Sequence, residues 1–73
     1  MTDWRKAYAA LYGAGYTDDQ IAESARCSRV VINQVRNGTY PHNHEPGHSG
    51  GEQILKMIAD AVTAGYIQEE PEL

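Results

Sequence analysis

Three arginines, Arg26, Arg29 and Arg36, and two of the three histidines fall between Ser24 and His44, a stretch that contains no acidic residue. Gathered on one surface they would form a positive patch on a chain whose formal net charge is −4. The imbalance is uneven: Glu69, Glu70 and Glu72 sit in a terminal segment broken by Pro71, and without them the balance is only −1. The basic stretch also holds Ser28, Asn33, Gln34 and Asn37. Hydroxyls, amide forks and guanidinium forks of this kind pair with planar polar partners through two hydrogen bonds at once.

Other chemistries are weaker on inspection. His42, His44 and His48 with Glu45 could in principle hold zinc. The surrounding Gly and Pro leave that loop unsupported, no second layer of partners is visible, and an exposed loop is the favoured reading, so no metal is expected. The single cysteine, Cys27, excludes an internal disulfide and a cysteine-based zinc site. As a nucleophile it competes with simple packing, which is the commoner role of a lone Cys, so neither catalysis nor a small-molecule substrate nor a cofactor is expected. Five Tyr and one Trp suggest stacking on single strands. Trp4, Tyr8 and Tyr12, however, share one helical stripe and read better as core.

Global numbers bound the rest. With 73 residues, 41% hydrophobic and 22% charged, the chain has the composition of one small folded domain. A domain of that size buries only about 60% of the surface its unfolded chain exposes, so help from a partner chain is expected. No apolar run, Val30 to Ile32 included, is long enough for a membrane span or a signal-peptide core, which leads to the expectation of a soluble chain in a reducing, cytoplasmic compartment.

The residues that carry chemistry need helices to hold them. Thr2 or Asp3 can cap a helix whose apolar residues Trp4, Ala7, Tyr8, Leu11 and Tyr12 recur at helical spacing, with Gly13 and Gly15 ending it. Thr17 to Gln20 is a T-x-x-Q capping box with Asp18 and Asp19 in the first turn, where a helix dipole favours carboxylates. Ile21, Ala22 and Ala25 then share a face. After Ser28 the β-branched run Val30 to Ile32 and Asn37-Gly38 allow a hairpin. Pro41 and Pro46 would interrupt its return strand, whereas Ser28 as cap, the Ile32/Val35 pair and Gly38 as terminator favour a helix. Residues 39 to 51 read as an exposed loop. Ile54, Leu55, Ile58, Ala61 and Val62 repeat at helical spacing, with Gly65 as a stop and Tyr66 and Ile67 able to fold back. The expectation is an all-α domain over residues 1–67, with helices near 3 to 13, 18 to 25, 29 to 37 and 52 to 64, and a flexible acidic tail over 68–73. Ile21, Ile32, Val35, Leu55 and Ile58 are expected to be buried together.

Two short helices joined by a three-residue turn, the second ending in Asn-Gly, is a helix-turn-helix layout. The stretch TDDQIAESARCSRVVINQVRNG, with Tyr40 and Pro41 just after it, resembles the helix-turn-helix of the Cro and repressor family (lambda-repressor-like, XRE-like) of phage and bacterial regulators. Ala22 matches the position where that family packs two helices closely, and Ile21, Ala25, Cys27, Ile32 and Val35 match its buried positions. Two positions differ. Arg26 stands where the family usually has Gly in the turn, which implies either a left-handed Arg at a cost of about 1 kcal/mol or a remodelled turn. Asp18 stands where the family often has a phosphate-binding Gln, which passes that contact to the Thr17 hydroxyl or a backbone N–H.

The resemblance implies a lambda-repressor-like fold of four to five helices whose third helix, Ser28 to Asn37, enters the DNA major groove. In that role Arg29 can pair with guanine O6 and N7, Asn33 and Gln34 can each read adenine, Val30 can meet a thymine methyl, and Ser28 can reach a base or phosphate. Thr17, Arg36, Asn37 and Tyr40 would contact the DNA backbone. The implied function is a sequence-specific repressor that occupies a double-stranded operator as a homodimer, with half-sites about 34 Å apart, in a bacterial host cytoplasm if phage-encoded. Exposed apolar residues of the last helix, or Tyr66 and Ile67, would supply the dimer surface. The alternative is a non-catalytic interaction module on the same fold, either an antitoxin-like partner or an acidic antagonist of a regulator, and net charge −4 is its motive.

Overall fold

The computed structural model describes residues 2–40 and 50–73. Among these residues the only regular elements are four helices: α1 (Trp4–Gly13), α2 (Asp18–Ala25), α3 (Arg29–Asn37) and α4 (Gly50–Ala64). The described residues are therefore all-α, and the segment from Arg29 to Asn37 is a helix and not a strand. None of the helices is long and apolar enough to cross a membrane. The metal reading of His42, His44, Glu45 and His48 falls on residues outside the described ones.

The starts of α1, α2 and α3 are each fixed by a capping side chain. Asp3 accepts a hydrogen bond from the Lys6 N–H at 3.2 Å, and Ser28 Oγ accepts from the Val31 N–H at 3.3 Å. Thr17 Oγ1 accepts from the Gln20 N–H at 3.2 Å while Gln20 Oε1 accepts from the Thr17 N–H at 2.9 Å, so both halves of the capping box form. The turn after α2 needs a left-handed residue, and Arg26 supplies it with φ 54° and ψ 44°. There the Cys27 N–H donates to the Ala22 carbonyl at 3.0 Å, which ends α2 and leaves Ser28 free to start α3.

The core is built from Ala7, Leu11, Ile21, Ala22, Ala25, Val31, Ile32, Val35, Ile54, Ile58 and Ala61, all buried. Helix α1 packs on α3 and α4, and α2 packs on the same two, so four amphipathic stripes close around one centre. Ile21, Ile32, Val35 and Ile58 are buried together as the sequence suggests. Leu55 is a correction: it is half-buried at the edge of the core, and its neighbour Ile54 takes the central place.

The start of α4 explains that shift. Helix α4 begins two residues before the expected Glu52, on a pair of buried glycines. A Cβ on Gly51 would lie 2.7 Å from Trp4 Cη2 and 3.0 Å from Tyr40 Cε1, and one on Gly50 would lie 3.2 Å from Cys27 Cβ. At Gly51 only bare backbone fits so close and at Gly50 a methyl would crowd Cys27, so the pair lets α4 lie against Trp4 and the α2–α3 turn. At the other end Gly65, with φ 85°, reverses the chain and Ile67 packs against the core, while Tyr66 stays 67% exposed. The segment expected to be a flexible tail ends in contact: the Asp3 N–H donates to the Leu73 carbonyl at 3.0 Å and Leu73 packs against the core, with Glu69, Glu70 and Glu72 exposed.

Candidate functional site

Helix α3 divides its residues sharply. Val31, Ile32 and Val35 are buried, and Arg29, Val30, Asn33, Arg36 and Asn37 are exposed. The exposed set recurs at three- and four-residue intervals, so it forms one outward stripe. Val30 is 65% exposed, a large apolar side chain left in water amid polar neighbours. Gln34 sits half-buried at the border of the stripe, and Ser28 is exposed at its head with its Oγ engaged as the helix cap.

Helix α2 contributes the surprise. Its first-turn carboxylates reach across to this stripe: Arg29 Nη1 donates to Asp19 Oδ1 at 2.6 Å, and Arg36 Nη1 lies 3.6 Å from Asp18 Oδ2. Arg36 also donates to Asn33 Oδ1, and the Tyr8 hydroxyl donates to Asp18 Oδ1. A chain of contacts thus runs Tyr8, Asp18, Arg36, Asn33, and a separate pair joins Asp19 to Arg29. Asp18, Arg29, Val30, Asn33 and Arg36 together line a shallow cleft of about 330 Å³. The isolated positive patch suggested by the run from Ser24 to His44 is therefore corrected: two of its three arginines face carboxylates that lie earlier in the chain.

Exposure decides how firmly these pairs hold. The Arg29 and Asp19 side chains are 64% and 80% exposed, and a pair so wet contributes at most about 1 kcal/mol, a modest bias that a competing anion has to overcome. Asp18 is only 22% exposed on its side chain and is held from two sides, so it is the fixed member. Burial, the hydrogen bond to Asp18 and the Asp18 charge together push the Tyr8 phenol above its ordinary value.

The remaining expected contacts have structural employment. Thr17 gives its backbone N–H and one Oγ1 lone pair to the capping box, which leaves its hydroxyl hydrogen as a donor. The Asn37 side chain is exposed, and its carbonyl accepts from Arg5 Nε at 3.0 Å, which pins the end of α3 to α1. Tyr40 packs on α1 and α4: its ring meets Trp4 edge-on at 4.8 Å and its hydroxyl accepts from the Gly51 N–H at 3.1 Å. Its contacts lock the start of α4.

Comparison of the chain with models of protein families, with curated proteins and with solved structures finds no match. What the site can do must be read from its own chemistry. Among the described residues no three metal-ligating side chains come together. Cys27 is half-buried beside Gly50, and burial pushes its thiol up, the opposite of what a thiolate nucleophile needs. Two guanidinium forks, an amide fork and an exposed isopropyl group on one helix face make a surface suited to recognising planar polar groups and anions.

The sequence reading missed Asp18, Asp19, Tyr8 and Arg5 as members of the site. Only the acid-rich first turn of α2 offered a signal, and it was read as helix capping. Its reach toward α3 depends on the angle between two helices, which no spacing in the chain records.

Proposed function

We propose that the chain is a sequence-specific double-stranded DNA-binding regulator that uses α2, the Arg26 turn and α3 as a helix-turn-helix. The observation that carries this reading is the outward stripe Arg29, Val30, Asn33, Arg36 and Asn37 on a helix anchored by a buried opposite face. Nine residues make α3 about 13 Å long, a fit to a major groove about 12 Å wide. Arg29 is suited to guanine, Asn33 and Gln34 to adenine and Val30 to a thymine methyl, with Ser28 at the groove entrance. Arg36 and Asn37, toward the end of α3, would meet phosphate, and Thr17 can add its hydroxyl hydrogen while Oγ1 keeps its cap.

Such a protein acts by occupying an operator, and two copies would present two α3 helices to half-sites one turn apart, about 34 Å. The exposed rings of Tyr12 and Tyr66, 64% and 67% accessible, are candidates for contact between copies. The place of action is then the cytoplasm, that of a bacterial host if the chain is phage-encoded. A salt titration on random duplex tests the reading. DNA binding gives a log K that falls linearly with log salt, by about 0.9 per phosphate neutralised. Absence of binding at low salt would reject it.

One observation favours a second reading. Asp18 and Asp19 neutralise Arg36 and Arg29 within the molecule, on a chain of net charge −4. A non-catalytic protein-interaction module, antitoxin-like or an antagonist of another regulator, would use the same neutral, fork-rich face against a protein and bind no duplex in that titration.

A further inference from the structure

We infer that Asp19 is a positioning residue for sequence discrimination: it holds the Arg29 guanidinium ready for a base edge and keeps it off the phosphates of non-cognate DNA. The inference rests on the DNA-binding reading and deepens it.

Arg29 has five N–H donors in a rigid planar fork. Its Nη1 engages Asp19 Oδ1 at 2.6 Å, which uses one edge of the fork and leaves donors on Nη2 and Nε for the O6 and N7 of guanine. Asp19 itself stands in the first turn of α2, whose N-terminus is fixed by the Thr17–Gln20 capping box and whose underside is buried through Ile21, Ala22 and Ala25. The carboxylate is thus mounted on a rigid element and Arg29 on another. A long side chain that would otherwise sample many rotamers is confined before it meets a base.

The charge acts in the opposite direction on other DNA. An arginine that rests on a carboxylate gives up that partner to neutralise a phosphate, and the carboxylate left behind repels the same phosphate. At a guanine edge neither cost arises, since the base presents acceptors to the unused donors while the ion pair stays formed. Asp18 gives Arg36 a similar partner, and Arg36 fixes the Asn33 amide by donating to Oδ1. Asp18 also holds Tyr8, so its replacement disturbs packing and Asp19 is the cleaner probe.

The experiment compares wild type with Asp19→Asn on two duplexes: the tightest sequence that wild type selects from a random pool, and a scrambled duplex of the same composition. Asn keeps the shape and removes the charge. Thermal unfolding of both proteins verifies that the exposed substitution leaves the fold intact. The expected result is roughly a twofold to fivefold gain on the scrambled duplex, with a salt slope steeper by about 0.9, and no gain on the selected one. Equal gains on both duplexes, or no change on either, overturn the role of Asp19 while leaving DNA binding in place. If wild type binds no duplex at low salt, the DNA reading and this inference fall together. Arg29→Ala supplies the cross-check: in its background Asp19→Asn should no longer alter discrimination, and a persisting effect would overturn the coupling.

Discussion

Arg5 and Asn37, thirty-two positions apart, are joined by a hydrogen bond from Arg5 Nε to the Asn37 carbonyl at 3.0 Å. The bond puts a cation on the C-terminal end of α3, where the helix dipole favours it, and fastens the candidate reading helix to α1. The same side chain crosses the face of Gly38, whose φ is 76° and whose missing Cβ would lie 3.0 Å from Arg5 Cγ.

Gly38→Ala should therefore lose stability by about 1 to 2 kcal/mol, from a left-handed residue with a Cβ and from displacement of Arg5. Chemical denaturation of the single variant and of the double variant with Arg5→Ala separates the two causes. The steric part should vanish in the double variant and the backbone part should persist.

Arg26→Gly should be neutral or stabilising by up to about 1 kcal/mol. Arg26 holds a left-handed conformation with an exposed side chain, so glycine removes the strain and adds only the entropy of a freer unfolded chain. A denaturation midpoint clearly below wild type would show that the Arg26 side chain has a needed partner.

The Tyr8 phenol ties stability to alkaline pH. Its folded-state pKa is raised above the ordinary 10.0, so its contribution is fully present below about pH 10 and is lost as pH rises through the folded value. Urea midpoints measured from pH 8 upward should fall above about pH 10 in wild type. Tyr8→Phe should flatten that decline while lowering the neutral-pH midpoint modestly, because Asp18 loses a donor.

On DNA, Arg29→Ala and Gln34→Ala should each lose about 1 to 3 kcal/mol on a selected site and little on random duplex, since base-edge contacts carry discrimination. Arg36→Ala should weaken both similarly and reduce the salt slope by about 0.9. Equal losses on both duplexes for Arg29→Ala would make Arg29 a phosphate contact and change the orientation assigned to α3.

Much of this fold is legible in the chain because its signals are local. The Thr17–Gln20 box, the Ser28 cap and the Gly38 stop each depend on residues within one turn, and each forms as read. The left-handed alternative at Arg26 was legible from the turn itself. The start of α4 was not, because Gly50 and Gly51 look like loop until Trp4 and Cys27 are known to lie against them. The choice of Ile54 over Leu55 follows from that same packing, as both fit a helical repeat. At the site, the α3 stripe could be read from polar and apolar alternation. Its carboxylate partners could not, since Asp19 and Arg29 meet only through the crossing of two helices.

The outer face of α3 as a DNA-reading surface is tested most directly by mapping backbone amide shifts of isotope-labelled protein as a duplex selected from a random pool is added. The account predicts the largest changes along residues 28–37, strongest at Arg29, Val30 and Asn33, with Thr17 and the first turn of α2 responding beside them. Saturating duplex that leaves these amides unmoved, or that shifts only residues of α1 or α4, would contradict it.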